Sequence, residues 1–113
     1  MRYKKANKVA KRRLKVAEKL LQQNQKEAFF EEIERAAWTY LSDRLSIPTA
    51  HLNKENIAQI LANKAVPNTT IQQVLQVLST AEFARYAPTS DSAMHELYAD
   101  TIKIINQLES EKL

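Results

Sequence analysis

The sequence predicts an all-α fold, a single compact bundle of about five helices with no sheet. Three observations carry that prediction. Five stretches repeat their apolar residues at helical spacing, no stretch sustains the period-two alternation of a half-buried strand, and the breaks between stretches are short and polar or carry proline. The 113 residues suit one domain. A chain of this size buries roughly 65% of its unfolded surface, enough for one core without staples. A hydrophobic content of 44% is that of a globular protein.

The first helix is expected from about Tyr3 to Gln23, on a stripe of Ala6, Val9, Ala10, Leu14, Ala17, Leu20 and Leu21. Small residues fill its first half and leucines its second, so the second half should pack more deeply. Asn24 can cap the next helix, with Glu27 placed as a capping-box carboxylate. The second helix is expected from Gln25 to Leu45. Phe29, Ile33, Ala36, Ala37 and Tyr40 fall within about 100° of one another, and Phe30, Trp38, Leu41 and Leu45 widen the apolar arc. A helix apolar on so many sides belongs at the centre of a bundle. Pro48 stops it.

Asn53 is the expected cap of a short third helix, Lys54 to Asn63, with Ile57, Ile60 and Leu61 inward. Pro67 and Asn68 break the chain, and Thr69 or Thr70 can cap a fourth helix carrying Ile71, Val74, Leu75, Val77, Leu78 and Ala81. Pro88 ends that segment, and a polar loop at Thr89 to Ser92 leads into a fifth helix with Met94, Leu97, Tyr98, Ile102, Ile105 and Leu108 on one stripe.

Composition excludes several chemistries. Without cysteine there is no disulfide, no thiolate metal site and no thiol nucleophile. Without glycine there is no phosphate-cradling loop and no dinucleotide fingerprint, because both need backbone that only glycine permits. No apolar run approaches the roughly 20 residues that span a bilayer, and no secretory signal opens the chain, so a soluble domain is expected. His51 and His95 lack partners at metal spacing, apart from Glu96 and Tyr98 beside His95, and both read as surface or loop residues. Glu27, Glu31, Glu32 and Glu34 cluster on the second helix among Lys26 and Arg35. That is a solvated face, with Glu31 and Arg35 an i,i+4 pair, rather than an acid–base dyad. No nucleophile elbow is present. Neither a catalytic site nor a cofactor site is expected.

Charge is the strongest local signal. The net +4 conceals a basic head and an acidic body. Residues 1–16 hold eight cations and no anion, while the other nine cations of the chain meet 13 anions. Lys4, Lys5, Lys8, Lys11, Arg12 and Arg13 on a continuous helix can meet anionic lipid, nucleic-acid phosphates or an acidic partner, or can simply be solvated. Two features favour the membrane. The charge stops abruptly after Lys19, and it lies at the extreme N-terminus, where a preceding transmembrane segment would place its cytoplasmic flank. For nucleic acid, the fourth helix offers only Gln72, Gln73 and Gln76 as base readers, and no Lys or Arg before Arg85.

Trp38 lies at the edge of its helix's apolar arc. It reads as a core residue bridging two layers or, alternatively, as an exposed anchor for a partner. Phe83 stands about 120° from Ile71 at roughly 100° per residue, off the stripe of its helix. Phe83 and Tyr86 either lock the following loop to the core, with Arg85 paired to an acid, or present a binding surface. The expectation is a structural Phe83, with Trp38, Arg85 and Tyr86 as the candidate interaction surface.

The segment Ala81-Glu82-Phe83-Ala84-Arg85-Tyr86-Ala87-Pro88 with Ser90-Asp91-Ser92 resembles the C-terminal region of BatD-like oxygen-tolerance proteins. So do Trp38 to Leu45 with Ile47-Pro48, and Lys5 to Leu14. The resemblance spans nearly the whole chain. It implies a cytoplasmic tail that follows a large extracytoplasmic part and one transmembrane helix, so that this chain is a fragment and Met1 an introduced start. It also implies a link to aerotolerance in Bacteroides and related bacteria. The partners it implies are von Willebrand A-type membrane proteins, a TPR-type protein and a MoxR-type ATPase of the same system. Together with the charge pattern it leads to the expectation of a non-enzymatic interaction domain on the cytoplasmic side of the bacterial inner membrane. That domain docks proteins beside an anionic membrane surface, with no nucleic acid expected. The alternative is a small nucleic-acid-binding domain that uses the basic first helix.

Overall fold

A computed structural model describes residues 2–84, 86 and 90–111. It contains five α-helices: α1 (Arg2–Gln22), α2 (Lys26–Leu45), α3 (Lys54–Asn63), α4 (Asn68–Ala84) and α5 (Asp91–Glu109). A single 3₁₀ turn at Thr49–His51 lies between α2 and α3, and the described residues contain no strand. The all-α bundle expected from apolar spacing is the fold observed. The radius of gyration, 13.4 Å, is that of a close-packed chain of this length.

The apolar breadth of α2 has its explanation in the packing. This helix touches α1, α4, α5 and the 3₁₀ turn. Its buried residues, among them Phe29, Phe30, Ile33, Ala37, Tyr40 and Leu41, lie on several sides of the cylinder. Phe29 and Phe30 meet edge to face, with ring centroids 5.4 Å apart. α1 and α2 form a hairpin, α4 and α5 a second pair, and α3 packs on α4 alone.

Among the described side chains of α1, the buried stretch runs from Ala10 to Ala17. Ala10 and Ala17 are fully buried and Leu14 nearly so, whereas Leu20 and Leu21 are only half-buried. Alanine lets helix axes approach closely, while the leucines lie in the last turn, where the chain reverses and less of α2 remains alongside.

The helix ends show how a chain without glycine turns. Asn24, Ser46 and Ala65 all take left-handed backbone, with φ of 58°, 60° and 65°. After α1, the Gln25 N–H donates to the Leu20 carbonyl and the Asn24 N–H to that of Leu21. After α3, the Val66 N–H donates to Leu61 and the Ala65 N–H to Ala62. Both patterns are Schellman closures, in which glycine usually fills the left-handed site. Ser46 closes α2 by donating its N–H to the Ser42 carbonyl, which also accepts from Ile47. Asn24 therefore ends α1 rather than capping α2, whose preceding residue, Gln25, makes no side-chain cap.

Other boundaries follow side-chain chemistry. Asn53 caps α3 as expected, in a reciprocal box with Asn56. α4 starts at Asn68, ahead of the threonines expected to cap it. The Pro67 carbonyl accepts from the Ile71 N–H, and Thr70 is buried inside the helix. Ser90 caps α5 through Ala93, so Asp91 and Ser92 are helical rather than part of a loop. The buried stripe of α5 is Met94, Leu97, Thr101, Ile104, Ile105 and Leu108, with Tyr98 and Ile102 at its edge. Thr101 is tolerated in the core because its hydroxyl donates to the Leu97 carbonyl at 2.7 Å.

Candidate interaction surfaces

The cations of the basic head divide by position. Lys11 and Arg12 are exposed on α1. Arg13 is not free: its guanidinium lies 3.4 Å from Glu32 of α2, and this contact ties the α1–α2 hairpin together. Arg35 meets the other oxygen of Glu32 at 3.8 Å, one residue on from the Glu31 expected to pair with it. Glu32 thus bridges two arginines, and it is a structural acid. The side chains of Lys4, Lys5 and Lys8 lie outside the described residues.

Trp38 is half-buried against the core, with its edge in a shallow hollow beside Glu31, Glu34 and Arg35. It is accessible only in part. Phe83 departs from expectation: it is 61% exposed, and Tyr86 is 81% exposed. The off-stripe angle of Phe83 turns it away from the core that α4 covers with Val74, Val77, Leu78 and Ala81. Its support is a cation, because the Lys54 ammonium lies 4.9 Å from the ring centroid while pairing with Glu82 at 2.5 Å. This contact fastens the start of α3 to the end of α4. Arg85 lies outside the described residues, so its expected pairing has no structural counterpart here.

Two clefts escaped sequence reasoning. Between α4 and α5, a cleft of about 300 Å³ is lined by Gln72, Gln73, Gln76, Asp100 and Lys103 over Val77 and Ile104. Between α1 and α5, a cleft of about 270 Å³ has Lys11 and Lys15 on one wall and Ile102 and Ile105 on the other. Glu18 accepts the Tyr98 hydroxyl at 2.9 Å across it. Partial burial, and then the Glu18 bond, push the Tyr98 hydroxyl up to about 12. The signal for this cleft is the helical register, which sets Lys11, Lys15 and Glu18 on one side of α1. It becomes legible only once α5 is known to lie alongside.

A third feature lies largely inside the bundle. Arg44, on α2, is 9% exposed. Its Nε lies 3.1 Å from Glu109 of α5, and its Nη2 donates to the Glu111 carbonyl at 2.7 Å and to the Leu108 carbonyl at 3.4 Å. The Tyr40 hydroxyl donates to the same Glu109 carboxylate at 2.5 Å. Burial, reinforced by Glu109, holds that hydroxyl well above its ordinary range.

His51 and His95 are exposed, and among the described residues no three His, Asp or Glu side chains gather as a metal-binding group. No helix among them is long and apolar enough to cross a membrane. Fold and surface together define an all-α bundle with a basic edge and an exposed aromatic corner. Compared with known proteins, the chain matches no family model, no curated protein and no solved structure.

Proposed function

We propose that the chain is a non-enzymatic interaction domain of a membrane-anchored protein, docking partner proteins at the cytoplasmic face of a bacterial inner membrane. The observation that carries this reading is the corner at the end of α4. Apart from Val16, Phe83 and Tyr86 are the large apolar side chains left exposed among the described residues. Tyr and other aromatics over-contribute to binding hot spots, and folding alone does not require these two to face water. The cationic start of α1 supports a membrane-proximal position, since juxtamembrane cations gain energy beside anionic lipid. The resemblance to BatD-like proteins supports the same topology, and with it partners of the von Willebrand A, TPR and MoxR types.

The test is site-specific photo-crosslinking in the source bacterium, with a benzophenone amino acid replacing Phe83 or Tyr86 of the full-length protein. Gln59, exposed on α3, serves as control. A discrete adduct from Phe83 or Tyr86, absent from Gln59, to a protein of one of those three types supports the reading. Adducts equal at all three positions, or duplex DNA bound tightly at physiological salt, overturn it.

A further inference from the structure

The cleft between α1 and α5 plays no part in protein docking at the α4 corner, and its chemistry is different. The helices run antiparallel there. Glu18 meets Tyr98 at one end, while Lys11 and Leu14 share the other with Ile105. Lys11 and Lys15 are one helical turn apart, both exposed, and among the described residues neither has an ion-pair partner. Beneath them lie Leu14, Ile102 and Ile105, and the Tyr98–Glu18 pair closes the far end. An unpaired cationic rim on one side of an apolar floor fits an anionic head joined to an apolar body.

We propose that the α1–α5 cleft binds an anionic phospholipid, its phosphate between Lys11 and Lys15 and its first acyl segments over Ile102 and Ile105. This rests on the reading that α1 begins beside a membrane. Size decides which kind of binding it is. At roughly 30 Å³ for each water-sized group, a cleft of about 270 Å³ holds a headgroup and a few methylenes, not a whole lipid. The remaining acyl chain stays in the bilayer, so the site grips lipid without extracting it. A bare phosphate satisfies the lysines but leaves the floor wet.

The test is a titration of the ¹⁵N-labelled chain with dihexanoyl-phosphatidylglycerol below its micelle concentration. Dihexanoyl-phosphatidylcholine and inorganic phosphate are titrated in parallel. Saturable shifts at the amides of Leu14, Ile102 and Ile105 are expected with phosphatidylglycerol, with at least fivefold weaker binding of phosphatidylcholine and no such shifts with phosphate. Ile102→Ser, and separately Lys11→Gln with Lys15→Gln, each lose tenfold or more in affinity. The lysine pair is on the surface, so its variant keeps the test open if Ile102→Ser fails to fold. Shifts confined to the basic start of α1, an equal response to phosphate, unchanged affinity in the lysine variant, or no shift at all overturn the proposal. Crosslinking at Phe83 and Tyr86 reports on a different part of the surface, so the docking reading and the lipid site can fail separately.

Discussion

Arg44 and Glu109 form the one deeply covered ion pair seen among the described residues, and it joins the last turn of α2 to the last turn of α5. The arginine does more than neutralise the acid. The last carbonyls of a helix have no intrahelical donor and carry the negative end of its dipole. Arg44 supplies donors to two carbonyls at this end of α5, while Tyr40 completes the acid from the same face of α2, one turn earlier. The clasp therefore gives the Glu109 carboxylate and two carbonyls at the end of α5 donors that the core would otherwise withhold.

Removing one member should cost more than the pair contributes, because its partners stay buried. Arg44→Ala is expected to destabilise the chain by about 3–5 kcal/mol. Tyr40→Phe, which loses a hydrogen bond to a charged acceptor, should cost about 1.5–3 kcal/mol. Urea unfolding of both variants and of the double variant tests this. A double variant as unstable as the strict sum would mean that the groups are not one network.

Alkaline pH should weaken the fold. Both Tyr40 and Tyr98 hold their protons more tightly folded than unfolded, Tyr98 up to about 12 against an ordinary 10.0. The unfolded chain then binds fewer protons above pH 10. The stabilisation is complete below that value and drains away as pH rises toward 12. Tyr98→Phe should flatten the fall in melting temperature over this window, and an unchanged slope would remove Tyr98 as a source.

The left-handed residues invite stabilisation. Alanine at such a position pays a steric penalty of about 1–2 kcal/mol, partly offset by the greater unfolded freedom of glycine. Ala65→Gly should therefore raise stability by about 0.5–1 kcal/mol, seen as a higher urea midpoint. Ala99→Gly, exposed within α5, should lower it by about 1 kcal/mol. If both substitutions act in the same direction, the backbone argument fails.

The aromatic candidates should separate by burial. Phe83→Ala is expected to change stability by less than about 1 kcal/mol, the scale of its contact with Lys54. Trp38→Ala, half-buried against the core, should cost about 1–3 kcal/mol. Thermal melts of the two variants distinguish them. A Phe83→Ala loss near 4 kcal/mol would restore the buried role that its exposure contradicts.

Helix number, the central place of α2 and the cap at Asn53 were legible because each depends on local spacing or on one side chain. The left-handed turns were not. With no glycine to mark them, nothing in Ser46 or Ala65 announces positive φ, and Asn24 serves equally well as a cap or a stop. Burial of Thr101, and the pairings of Arg13 with Glu32 and Arg44 with Glu109, depend on which helices lie alongside, which periodicity does not encode. The off-stripe angle of Phe83 was correctly visible. Assigning it to the core assumed that a large ring must find cover, when this one is 61% exposed with the Lys54 ammonium 4.9 Å from its centroid.

The central position of α2 also orders the assembly of the chain in time. α1 and α2 are neighbours in sequence and can pair as a hairpin soon after both have emerged from the ribosome. Tyr40 and Arg44 then wait with their polar groups uncovered until the last turn of α5 has been synthesised. The clasp closes only when α5 has docked on α2, because its acid and its carbonyl acceptors all come from the end of α5. A chain without α5 would leave open to water the flank of α2 that this helix covers.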